Sequence, residues 1–228
     1  MTSRSHEHRI HEHHLAVPRT ARYATLGETG PALREVWFVL HGFGQLSPYF
    51  IRHFGILADG TRLIVAPEAL NRFYLDPTSW KGAGAARVGA TWMTREEREA
   101  EMQDYVGYLD LLYDRVFAEL DRAAIRVTVL GFSQGVATGA RWLCRGRARA
   151  DAFVAWAGPF PPELDADAVR PLRGLRLVRV LGESDEMALP DHVAAEDGRM
   201  RALGLDTTLI RFPGGHALHR ETLLAIAT

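Results

Sequence analysis

At residues 131–135 the chain reads Gly-Phe-Ser-Gln-Gly, entered from the β-branched run Ile125-Arg-Val-Thr-Val-Leu130 and left through an apolar stretch, Gln134–Arg145. A strand that must turn at once into a helix has no room for Cβ atoms two residues to either side of the turning serine, so glycine stands at both places. Such a turn projects the Ser133 hydroxyl from the C-terminal edge of a sheet. The helix N-terminus beneath it favours developing negative charge. This strand–turn–helix setting separates a G-x-S-x-G nucleophile elbow from an ordinary Gly-Ser turn.

The rest of the chain supplies a sheet for that elbow. Val36–Leu40 and Arg62–Ala66 are short continuous apolar runs, as expected of strands buried on both faces. Ala152–Ala157, Leu175–Leu181 and Thr207–Phe212 read as further strands, each followed by Gly or Pro. Between them, helical spacing predicts a long helix over Arg95–Leu120, with Thr94 and Glu97 as a capping box. Shorter helices are expected at Pro48–Ala58, Asp191–Leu203 and His219–Ala227, and an antiparallel edge strand or two within Leu15–Leu26. Alternation of this kind predicts an α/β fold, a mostly parallel central sheet with helices on both faces. No insertion is long enough for a large cap domain. The longest stretch without a clear element runs from Pro67 to Thr94, and its aromatics suggest a packed functional loop.

Composition removes several classes of function. With 228 residues, 27 basic and 28 acidic side chains and a net charge of −1, the chain has no electrostatic footprint for nucleic acid. Its single cysteine, Cys144, excludes an intrachain disulfide and a Cys-based zinc cage. No apolar run approaches the roughly 20 residues of a membrane-spanning helix. The N-terminus is polar, without the apolar core of a secretory signal, so a cytoplasmic location is expected. Residues 1–14 read as a polar, His-rich tail and 15–228 as one domain.

A serine nucleophile needs a base, and the base an orienting acid, in the chain order Ser, Asp or Glu, His for this strand–turn–helix architecture. The strand at Leu175–Leu181 runs into Gly182-Glu-Ser-Asp185, and Thr207–Phe212 runs into Pro213-Gly-Gly-His216. Ser133, Asp185 and His216 thus fall in the required order, each at the C-terminal end of a strand, where parallel strands share one crevice. Glu183 and Glu186 flank Asp185 as alternative acids, and His219 is an alternative base. An oxyanion hole would take the backbone N–H of Gln134 and one from the earlier loop His41-Gly-Phe-Gly-Gln45, where Phe43 lies between two glycines. His41 reads as a structural hydrogen-bonding residue.

Through Leu40-His-Gly-Phe-Gly44, the elbow at Ser133, the Gly182–Asp185 loop and Gly-Gly-His216, the sequence resembles the phospholipase/carboxylesterase family of α/β-hydrolases, which includes the acyl-protein thioesterases. The resemblance covers nearly everything from Val36 onward. It implies an α/β-hydrolase fold, Ser133 as nucleophile, Asp185 as acid and His216 as base, with the Phe43 and Gln134 amides as oxyanion donors. The implied activity is hydrolysis of small or medium acyl esters or thioesters through an acyl-enzyme, without a cofactor. Tyr74, Trp80, Trp92 and Met93 are candidates for lining a substrate pocket. Two other readings share these motifs: a non-catalytic small-molecule-binding protein of the same fold, and a hydrolase of carbon–carbon or peptide bonds.

The histidines at 6, 8, 11, 13 and 14 invite a metal site, but H-E-x-x-H fails in both registers because Ile10 and Leu15 stand at the second His positions. No metal is expected.

Overall fold

The computed structural model describes residues 10–76 and 86–228. Trp80, His6 and His8 lie outside that range.

Among the described residues, seven strands form the central sheet: β1 Tyr23–Leu26, β2 Glu35–Leu40, β3 Arg62–Pro67, β6 Arg126–Phe132, β7 Ala152–Trp156, β8 Arg176–Gly182 and β9 Thr207–Phe212. Their spatial order is β1-β3-β2-β6-β7-β8-β9. Only β1 runs antiparallel, against β3; the other neighbours pair in parallel. The expected edge strand thus forms within Leu15–Leu26, over its last four residues. Strand β2 is buried at all six positions, which explains the unbroken apolar run Val36–Leu40 that follows Glu35. Its side chains alternate between two cores. Val36, Phe38 and Leu40 enter one, built with helices α2 (Arg98–Val116), α3 (Gln134–Arg145) and α4 (Pro190–Ala202). Trp37 and Val39 enter the other, built with α1 (Ser47–Phe50), the 3₁₀ turn Ile51–Leu57 and α5 (Arg220–Ile226). Phe38 packs at 5.7 Å from the Tyr113 ring and 5.3 Å from Trp142, which joins sheet, α2 and α3.

Three local expectations change. The helix expected at Pro48–Ala58 is one α-turn followed by a 3₁₀ segment, where Ile51, Gly55 and Ile56 weaken α-helical propensity. The capping box at Thr94 and Glu97 does not form. Helix α2 begins only at Arg98, Glu97 has a left-handed φ of 48°, and its carboxylate binds His14 Nε2 at 2.8 Å instead. Within the Pro67–Thr94 stretch, β4 (Asn71–Tyr74) and β5 (Val88–Thr91) pair as a separate antiparallel ribbon. Among the described residues, no helix is long and apolar enough to cross a membrane.

Candidate active site

The elbow is built from its backbone. Ser133, between β6 and α3, has φ 53° and ψ −117°, a conformation that costs a non-glycine residue about 1–3 kcal/mol. The surroundings hold it there: the Ser133 N–H donates to the Trp156 carbonyl at 2.8 Å. A Cβ on Gly131 would lie 2.3 Å from the Gly135 carbonyl oxygen, and one on Gly135 would lie 2.2 Å from that of Leu40. Glycine is therefore a steric requirement at both positions.

Two adjacent strands deliver the loops that carry Asp185 and His216. Just past the β8–β9 pairing, the Glu183 N–H donates to the Phe212 carbonyl at 2.9 Å and the Ser184 N–H to that of Gly214 at 2.9 Å. This stitching places His216 Nδ1 2.9 Å from Asp185 Oδ2. Asp185 is buried, whereas Glu183 and Glu186 are exposed. Its other carboxylate oxygen accepts the Met187 N–H at 2.9 Å. His219 is engaged elsewhere: it stacks on Phe212 at 5.0 Å, with Nδ1 2.9 Å from the Thr222 hydroxyl. The His216 loop is tied back to the elbow through Trp156, whose indole N–H donates to the Ala217 carbonyl at 2.9 Å. Phe132, next to Ser133, has its ring centroid 5.1 Å from that of His216. Among the described residues, no hydrogen bond joins the Ser133 hydroxyl to the His216 ring.

The loop after β2 approaches the same point. A Cβ on Gly42 would lie 3.2 Å from the Ser133 Cβ. Among the described residues, neither the Phe43 nor the Gln134 N–H has an acceptor. The Gln134 side chain ties the elbow to the end of the ribbon. It accepts the Trp92 N–H at 3.1 Å and donates to the Met93 carbonyl at 3.0 Å. Neither this clamp nor the double role of Trp156 has a motif, and both depend on contacts between distant segments, so sequence reading missed them.

A cavity of about 520 Å³ opens at Ser133, within the range of small-molecule sites. Phe43, Ala137, Pro159, Leu181, Ala188 and Val193 contribute its apolar lining, and Arg179, Asp185, His192 and Glu196 line it with polar groups. None of the described pocket candidates from the ribbon region is part of that wall. Trp92 is in the core, 1% exposed, with its indole N–H on the His41 carbonyl at 2.9 Å. Met93 packs against the core and receives Arg141 Nη1 at 3.3 Å. Tyr74 is on the exposed face of β4, and Trp80 is outside the described residues. The cavity wall instead comes from α3, α4 and the loops after β7 and β8. Burial pushes the Cys144 thiol up to about 12, which keeps it protonated near neutral pH.

Neither a family model nor a curated protein matches the sequence. Solved structures do match in shape. A structure of esterase PE8 superposes with a TM-score of 0.64 at 18% identity, over 90% of this chain and 95% of that one. Acyl-protein thioesterase 2 of Zea mays gives 0.66 at 16% identity, over 91% and 96%. The carboxylesterase of Bacillus cereus gives 0.62 at 13% identity, over 90% and 91%. The chain has the α/β-hydrolase fold, with no large cap domain among the described residues.

Proposed function

We propose that the protein is a serine hydrolase of small or medium acyl esters or thioesters. The observation that carries this reading is the 2.9 Å contact between His216 Nδ1 and Asp185 at the sheet edge that also bears the strained Ser133. With Nδ1 committed to the carboxylate, Nε2 is the nitrogen left to act as base. It takes the Ser133 proton as the oxygen attacks the acyl carbon, while Asp185 stabilises the imidazolium. Catalytic hydrogen bonds in ligand-free sites are often long and tighten when substrate binds. The tetrahedral oxyanion accepts the unpaired N–H groups of Phe43 and Gln134. His216 then returns the proton to the leaving alcohol or thiol, which departs with the electrons of the acyl bond. Water, deprotonated by the same imidazole, attacks the acyl-enzyme, and the proton passes back to Ser133 as the acid is released.

The structures of similar shape include esterases and a thioesterase, which supports this reading over the non-catalytic one. A panel of p-nitrophenyl esters, acyl thioesters and amides, run beside Ser133→Ala, tests it. Hydrolysis of esters or thioesters by the intact protein and its loss in Ser133→Ala are expected. Equal turnover by the two proteins would overturn the reading.

A further inference from the structure

His41 precedes the oxyanion loop, is fully buried, and has both ring nitrogens engaged. The Ala69 N–H donates to Nε2 at 3.0 Å, so that nitrogen must be the acceptor and the ring proton resides on Nδ1. From Nδ1 the ring donates to the Gly42 carbonyl at 2.7 Å. That carbonyl and the Phe43 N–H belong to one planar peptide unit and point in opposite directions. Holding one therefore aims the other.

We propose that His41 is a positioning residue: through its Nδ1–H it fixes the Gly42–Phe43 peptide so that the Phe43 N–H faces the oxyanion site before substrate arrives. The proposal rests on the serine-hydrolase reading for its catalytic consequence, though not for its geometry. A peptide following glycine is soft, because Gly42 has no Cβ to restrict rotation. Turning it over would aim the Gly42 carbonyl oxygen at the oxyanion, converting attraction into repulsion. The neighbourhood commits the competing groups. The Gly42 N–H goes to Gln45 Oε1 at 2.8 Å, and the Gln45 N–H gives the Gly42 carbonyl a second, longer bond at 3.3 Å. The ring itself is pinned between Trp92, 5.2 Å away, and Phe50 at 6.3 Å. Burial holds the imidazole down to about 4, so near neutral pH it carries a single proton. His41 touches no reacting atom.

Two amide substitutions separate its two hydrogen bonds. Asn places an amide nitrogen near the Nδ1 position and can still donate to the Gly42 carbonyl, whereas Gln reaches the Nε2 position and can keep only the Ala69 contact. His41→Asn is expected to stay within about threefold of the intact kcat. His41→Gln is expected to lose about 10- to 100-fold in kcat with little change in KM, less than the 10²–10³ for deleting an oxyanion donor outright. Affinity for a trifluoromethyl ketone should fall in parallel with kcat. Each variant loses one buried hydrogen bond, so activity that follows melting temperature rather than Nδ1 donation would overturn the proposal. Two measurements need no turnover. In the unsubstituted protein, ¹⁵N shifts should show His41 protonated at Nδ1; protonation at Nε2 overturns the proposal. A crystal structure of His41→Gln with the Gly42–Phe43 peptide unmoved and single would do the same. A correctly aimed Phe43 amide in a protein that hydrolyses no acyl substrate would instead count against the serine-hydrolase reading.

Discussion

The Asp185 carboxylate lies almost wholly buried against the His216 ring it binds, 1% of its side chain exposed against 28% for the histidine. A buried acceptor on Nδ1 fixes the tautomer and orientation of the ring, which in the proposed mechanism leaves its other nitrogen for Ser133. Asp185→Asn keeps the shape but offers the ring a partner that favours the wrong tautomer. A loss of about 10⁴-fold in kcat is expected in an ester assay. Glu183→Gln and Glu186→Gln, at exposed positions, should stay within a fewfold of the intact protein.

Trp156 is expected to matter beyond its bulk. Its carbonyl receives the Ser133 N–H and its indole donates to the loop that carries His216. Trp156→Phe keeps the first bond and removes the second. Stability in urea should fall by about 1–3 kcal/mol from the lost bond and the space left behind, with kcat down roughly tenfold and KM little changed. An unchanged kcat at that cost in stability would confine Trp156 to packing.

Acid should weaken the fold partly through Glu68. Its buried carboxylate accepts Arg22 Nη2 at 2.5 Å, Arg72 Nε at 2.6 Å and the Ser47 N–H at 3.2 Å. Burial works to raise its pKa, but the two arginines outweigh burial and hold it below the usual carboxylate range. The folded state therefore binds this proton less readily than the unfolded chain. The stabilisation is complete above the unfolded-state value of ~4.3 and is lost as pH falls through the lower folded one. Glu68→Gln should cost about 2–3 kcal/mol at pH 7. Urea titrations should show that gap closing as the pH drops below 4.

The cavity at Ser133 predicts a limit on acyl length. Its walls are mostly apolar and its volume is about 520 Å³, so kcat/KM should rise from acetyl to a medium chain and then fall. Ala137→Phe, which extends an α3 side chain into that space, should move the optimum to shorter chains without abolishing acetyl hydrolysis. A steep preference for long chains that survives the substitution would place the acyl group elsewhere.

The sheet was legible because buried parallel strands leave continuous apolar runs, as at Val36–Leu40, and because glycine marks where those runs end. The elbow was legible because its steric demand falls on sequence-adjacent residues. The ribbon Asn71–Tyr74 with Val88–Thr91 left no such mark: its strands have four residues each and Gly89 interrupts the second. Trp92 read as a pocket aromatic because bulk and polarity alone do not reveal that its indole N–H is spent on His41. Thr94 and Glu97 fit the spacing of a capping box, yet Glu97 turned left-handed and paired with His14, 83 residues earlier. His41 was legible as a hydrogen-bonding residue, but its partners, Gly42 and Ala69, were visible only in three dimensions.

Whether Ser133 is the activated nucleophile is tested most directly by intact-mass analysis after exposure to a fluorophosphonate. A single phosphonyl adduct is expected, mapped by peptide digestion to Ser133, absent from Ser133→Ala and formed much more slowly by His216→Ala. An adduct that persists in Ser133→Ala, or an intact protein that acquires none, would contradict that role.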